Sequence, residues 1–233
     1  EGPYSIYRVG QPVGAFFGFR FDGVYANDSD VPENQRDVPA NNGAQNFRGG
    51  YPIFFDADNN GVFERQFDRV VIGNALPLHT GGITNTFSYK GVELSVFMNW
   101  SYGNQIYNMT NAVLTSMADD FNQSRAVLNR WRNPGDRTRM PKAMYLANSF
   151  QGIAFTDASS RYIEDGSFLR VRTLTLAYNL PSALLSKVKL GSVRVYVSGQ
   201  NLFTFTNYSG FDPESQNTGG GLIPTLGVDY LTQ

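Results

Sequence analysis

The chain has 233 residues with 19 Lys+Arg against 20 Asp+Glu, a formal charge of −1, so whole-chain electrostatics favour neither nucleic acid nor an anionic membrane surface. Cysteine is absent and histidine occurs once, which removes disulfides, thiolate catalysis, Cys-ligated zinc and any Ser-His-Asp triad not built on His79. Aromatics reach 14% while charged residues are only 17%, low against the ~25% of soluble domains, so the rings need an apolar environment to accept them.

The opening "EGPYSIYRVG" has neither a basic n-region nor an apolar h-region, and for an exported protein this leads to the expectation that the start of the gene product is missing. No stretch approaches the ~18 to 20 apolar residues of a membrane helix, which leaves alternating strands as the only membrane-spanning device.

Val13 to Tyr25 is read as a first strand, with Phe17, Phe19 and Phe21 opposite Gly14, Gly18 and Arg20; Asp22-Gly23 is ordinary turn chemistry. A long connection follows, and within it "DADNNG" places Asp56, Asp58 and Asn60 at the first, third and fifth positions of a calcium-type loop. Gly61 at the sixth position permits the turn that lets the oxygens converge. The twelfth position holds Phe67, not a carboxylate, and Asp68 comes one later. Two readings stand: a calcium site formed by Asp56, Asp58, Asn60 and the Val62 carbonyl with Asp68 as extra carboxylate, or a solvated acidic turn. His79, in the Pro/Gly-rich "NALPLHTGG", reads as a loop histidine.

Ile83 to Lys90 alternates, Lys90-Gly91 forms a tight hairpin turn, and Val92 to Tyr102 carries the strongest period-two signal in the chain. There Val92, Leu94, Val96, Met98, Trp100 and Tyr102 face away from Glu93, Ser95, Phe97, Asn99 and Ser101, over a length near the about 9 to 11 residues that cross a membrane when tilted. A second long connection, from about Gly103 to Ser160, contains a predicted helix over Gln123 to Arg132, ended by Pro134 and Gly135. "EDGSFLR", Glu164 to Arg170, pairs acids beside a strand start and reads as turn chemistry. Ser167 to Leu180 changes phase, which predicts a β-bulge near Arg172 and Thr173. After the link "PSALLSKVKLGS", Val193 to Phe205 alternates again, with Val193, Val195 and Val197 expected on the lipid side and Arg194, Tyr196 and Ser198 on the lumen side. Trp100, Tyr102 and Tyr107 are expected in an outer aromatic girdle.

Short turns alternating with long loops fit an outer-membrane barrel whose long loops lie outside the cell. Strand directions then run outward for Val13 to Tyr25, inward for Ile83 to Lys90, outward for Val92 to Tyr102, inward for Ser167 to Leu180 and outward for Val193 to Phe205. The blocks "VVIGNALPLHTGGITNTFSYKGVELSVFMNWSYGNQIYN", "RYIEDGSFLRVRTLTLAYNLP" and "VRVYVSGQNLFTFTNYSGFDPES" resemble, in order and spacing, the C-terminal part of SusC/RagA-type TonB-dependent outer-membrane transporters.

That resemblance implies an all-β fold: antiparallel strands of a large transmembrane β-barrel of the 22-stranded, plugged type, with long extracellular loops. Residues 1–233 would be a C-terminal fragment, the plug domain and N-terminal region being absent, together with a closing strand expected after Gln233. In such a fragment the outer strands are expected to pair with further barrel strands. The implied function is TonB-dependent import of an oligosaccharide or oligopeptide across the outer membrane, with a SusD-like surface lipoprotein closing over the ligand and no enzymatic activity. Partners are then that lipoprotein, membrane lipid and, through the missing plug, the TonB system; no nucleic acid and no required cofactor are expected beyond the candidate Ca2+. The alternative is a secreted β-rich glycan-binding or adhesion protein, in which a second sheet would have to cover the apolar strand faces.

Overall fold

Strands with one apolar and one polar face form a sheet wherever turn chemistry lets them pair, and the long connections between them must find their own cores. The computed structural model describes residues 4–36, 46–117, 122–144, 158–186, 189–214 and 226–229. In chain order the strands are β1 Ser5–Ile6, β2 Ala15–Gly18, β3 Phe21–Val24, β4 Pro52–Phe54, β5 Val70–Gly73, β6 His79–Tyr89, β7 Val92–Tyr102, β8 Gln105–Asn108, β9 Ile163–Asp165, β10 Phe168–Asn179, β11 Arg194–Thr206 and β12 Val228–Asp229. No helix among the described residues is long and apolar enough to cross a membrane. The chain divides into two compact units, one of residues 1–76, 105–164 and 215–233, the other of 77–104 and 165–214.

The second unit is a four-stranded antiparallel sheet in the order β11-β10-β7-β6. Its first hairpin turns at Lys90 (φ 47°) and Gly91 (φ 87°), the two consecutive left-handed residues that a two-residue loop matched to strand twist requires. The predicted bulge is present: pairing of β10 with both neighbours shifts between Val171 and Thr173, and Asn201 (φ 51°) takes up the slack on β11. The bulge keeps the faces in phase. Rows such as Phe87, Leu94, Leu176, Val197 and Ile83, Met98, Val171, Phe203 lie across one side. Rows such as Thr86, Ser95, Thr175, Ser198 and Ser88, Glu93, Ala177, Tyr196 lie across the other. The polar rows are stitched by Thr175 with Ser198 at 2.9 Å and by Arg194 donating to Glu93 at 2.6 Å.

The apolar rows are open: Phe87, Val195, Val197, Phe203 and Phe205 are 59 to 67% exposed. A secreted protein would have to cover these side chains, and a sheet in lipid leaves them bare. β6 and β11 are the edges of this sheet among the described residues. Val193 lies just outside β11, its carbonyl accepting from Leu180 N.

Among the described residues the first unit gathers the long connections around a small cluster of Ile6, Ala15 and Phe17 and two larger cores. One contains Phe16, Tyr107, Ala112, Tyr162 and Val228, the other Phe19, Tyr25, Val31, Phe47 and Phe63. Three features differ from the sequence-based expectations. Val13 to Tyr25 is not a long two-faced strand but the two short strands β2 and β3 with the bridge residue Phe19 between them, and the rings at Phe16, Phe17, Phe19 and Phe21 are all buried. Alternation with glycine mimicked a membrane strand, but here it serves close approach, since a Cβ at Gly18 would lie 2.1 Å from the Ala158 carbonyl oxygen. Tyr107 is no girdle residue, being fully buried against Tyr4 and Tyr162 at ring distances of 5.0 and 6.0 Å. The helix expected over Gln123 to Arg132 contracts to a 3-10 turn, Arg125–Asn129, capped by Ser124 Oγ. The chain extends again at Arg130, where Arg130 bridges to Met140. Of the tail after Phe205, residues 215–225 and 230–233 lie outside the described residues.

Candidate functional site

The acidic loop and the polar sheet face hold the chemistry. In the loop, Asn59 (φ 57°) and Gly61 (φ 81°) reverse the chain within three residues, and Gly61 N donates to Asp56 Oδ2 at 2.6 Å. Carboxylate oxygens of Asp56, Asp58 and Asp68 all lie within 4.8 Å of one another. Asp68 is fully buried, its two oxygens accepting from Ala57 N at 2.8 Å and Glu64 N at 2.6 Å. Asp56 Oδ1 is buried without a hydrogen-bond partner. Three converging carboxyl groups with an unmatched oxygen among them offer the hard oxygen donors that calcium prefers.

The electrostatics carry the same signature. Burial pushes the Asp68 carboxyl up, and the charges of Asp56 and Asp58 add to it against the two backbone donors. For Asp56 the cost of lost hydration is outweighed by the Gly61 N–H, by a proton shared with the Asp58 carboxyl and by the N–H groups of Asn59 and Asn60, which hold its carboxyl below the ordinary range. Asn60 takes another role: its Oδ1 accepts from Val62 N and its Nδ2 donates to Asp58 and Glu64, so it shapes the loop. Of the sequence-based set, the carboxyl groups of Asp56, Asp58 and Asp68 are brought together, and Asn60 Oδ1 accepts from Val62 N.

The polar face holds a cluster that sequence reading passed over. Arg170, 7% exposed at its side chain, lies 2.6 Å from Asp212 and 2.5 Å from Glu214, and Arg172 reaches the other Glu214 oxygen at 2.5 Å. Asn99 accepts from Arg172 Nε, and Asn201 accepts from its Nη1. Against the cost of burial, the Arg170 hydrogen bond, the Glu214 N–H and both guanidinium charges hold the Asp212 carboxyl below its usual range. The segment after β11 is therefore clamped to strand β10 at its bulge. The 42 positions between Arg170 and Asp212 hide this pairing from the sequence.

The remaining candidates are structural. His79 opens β6 and is not in a loop; its Nδ1 accepts from Trp100 Nε1 at 3.2 Å and its ring stacks on Tyr102 at 5.0 Å. Asp165 accepts from Ser167 N, the expected turn bond. Glu164 accepts from Asn108 and Asn111.

No protein-family model matches the chain. Among curated proteins, it is 35% identical over 229 residues to TonB-dependent receptor P3 of Formosa agariphila, covering 97% of this chain and 21% of that receptor. It is 28% identical over 171 residues to TonB-dependent receptor SusC of Bacteroides thetaiotaomicron, covering 71% of this chain and 16% of the receptor. Among solved structures, the RagAB peptide transporter superposes with a TM-score of 0.67 at 23% identity, over 91% of this chain and 21% of that one. The chain thus spans about a fifth of the length of the P3 receptor. The named relatives are receptors and a transporter, none of them an enzyme.

Proposed function

We propose, from a chain akin along nearly its whole length to SusC/RagA-type TonB-dependent receptors, that the whole protein is an outer-membrane importer of an oligosaccharide or oligopeptide. Residues 1–233 are read as the C-terminal segment of its barrel, contributing lipid-facing wall from β6, β7, β10 and β11 and extracellular loop structure from the first unit. The observation that carries this reading is the four-stranded sheet whose strands of 11 to 13 residues keep one open apolar face and one hydrogen-bonded polar face. A SusD-like lipoprotein lid and TonB coupling through the plug complete the proposal.

Its test is uptake of labelled oligosaccharide and oligopeptide pools by cells carrying the full-length receptor. Accumulation of one pool should depend on the receptor and vanish when TonB is deleted; uptake that persists without TonB would reject active import.

Calcium in the acidic loop is proposed with it, held by Asp56, Asp58 and Asp68 and acting as a staple of the loop fold. Without metal, Asp68 keeps its proton to higher pH in the folded state than in the unfolded chain. Its contribution to stability is therefore present below the unfolded pKa and lost as pH rises through the folded one. Bound calcium should flatten that decline. At a hundredfold excess over Kd the ion should add ~2.7 kcal/mol, read as a rise in Tm of the full-length receptor that a chelator reverses. The Asp58→Asn variant, altered at an exposed position, should fold normally and lose most of the response; an undiminished calcium shift in it would exclude the site.

A further inference from the structure

We infer that the first unit carries a carboxylate-binding subsite in the cleft lined by Phe21, Asn129, Thr138, Arg139, Ser160 and Arg161, a cavity of about 560 Å³. The inference deepens the import reading by naming a chemical feature of the ligand, and it rests on that reading only for the ligand's source.

The local sequence is the first sign. Residues 125–142 carry Arg125, Arg130, Arg132, Arg137, Arg139 and Lys142 against a lone Asp136, a cationic run that the chain's net charge of −1 conceals. Three of these six cations are turned to local structure: Arg130 donates to the Val127 carbonyl, Arg132 to the Leu128 carbonyl, and Lys142 sits over the Tyr51 ring. Arg139 lines the cleft. Its guanidinium lies over the Phe21 ring, 5.5 Å from the centroid, and Arg161 lies over the same ring at 5.8 Å. Neither arginine has a carboxylate within ion-pair distance among the described residues, whereas Arg170, Arg172 and Arg194 each do.

One guanidinium on one ring is an ordinary structural contact. Two like charges sharing a ring repel one another, and a planar carboxylate between them would turn that repulsion into paired charge-assisted bonds. The surroundings are ordered for it. Trp131 N donates to the Met140 carbonyl and Thr138 Oγ1 donates to the Asn129 carbonyl, which fixes the backbone on both sides of Arg139. Ser160 Oγ accepts from Phe21 N, leaving its own hydroxyl proton to donate into the cleft. Phe21 supplies an apolar floor on which the body of the ligand can rest.

The carboxylate could belong to a peptide terminus or to an acidic sugar, so the test uses both with neutral partners. Binding of N-acetyl-Ala-Ala against its C-terminal amide, and of D-glucuronate against D-glucose, is measured by calorimetry on the purified full-length receptor at low salt. At least one acid should bind roughly tenfold or more tightly than its neutral partner, the loss expected for a charge-assisted pair, and the pair that discriminates identifies the source. The exposed Arg139→Gln should erase the discrimination, and Arg161→Lys should keep the charge but weaken it. Equal binding of acid and neutral forms in both pairs, or discrimination unchanged in Arg139→Gln, overturns the subsite. Because calorimetry needs no TonB, a failure of import leaves this result standing, and import without discrimination removes the subsite alone.

Discussion

Placing arginine at Leu174 should lower the amount of assembled full-length barrel by more than tenfold, while arginine at the adjacent Thr175 should leave it near wild type. Leu174 lies halfway along β10, paired with Val96 and Gly199 on the apolar side, whereas Thr175 sits between Ser95 and Ser198 on the polar side. A cationic side chain on the lipid face costs ~2 to 4 kcal/mol at mid-membrane and falls to ~0 to 1 near the interfaces. Val195→Arg should therefore do less harm than Leu174→Arg, because Val195 is the second residue of β11 and lies near its end. Heat-modifiable mobility of the receptor extracted from outer membranes measures the folded fraction. Equal losses at Leu174 and Thr175 would mean that the sheet does not present one face to lipid.

The second large effect is expected at the arginine clamp. Replacing Asp212 and Glu214 together by Asn and Gln leaves Arg170 buried without a counter-charge, and breaking such a pair costs ~3 kcal/mol or more. The segment after β11 should then detach from the polar face and become a site of rapid limited proteolysis. Adding Arg170→Met to that double variant should restore much of the protection, since the uncompensated charge is then gone. A triple variant cleaved as fast as the double one would count against an electrostatic cause. The pH dependence has a defined sign. Asp212 is held below its unfolded value, so its contribution is present above the ordinary carboxylate range and is lost as pH falls through the lowered folded value. Cleavage of the wild type should accelerate on acidification in that window, whereas the double variant should be nearly indifferent.

Sheet and loop were legible to different degrees for a physical reason. β7 was read at its full extent because a membrane-length strand writes its two environments into alternate residues, and the hairpin at Lys90-Gly91 needs only local backbone geometry. The bulge in β10 was legible for the same reason, as a phase change in the pattern. The acidic loop was partly legible: its 1, 3, 5, 6 spacing and the Asp68 that follows are local, but how Asp68 is held depends on burial and on the backbone donors of Ala57 and Glu64.

By itself, then, the sequence determined the long strands, their faces, their turn and the family resemblance, all of which rest on neighbours close along the chain. Tertiary structure decided the rest. It took the Phe17, Phe19, Phe21 alternation out of any membrane wall by burying the rings on two short strands and the bridge between them. It drew Tyr107 into a core, set Arg170 against Asp212 and Glu214, and brought both Arg139 and Arg161 to the Phe21 ring. Those pairings join residues separated by tens of positions, and periodicity records which environment a side chain prefers, not which distant partner the folded chain brings to it.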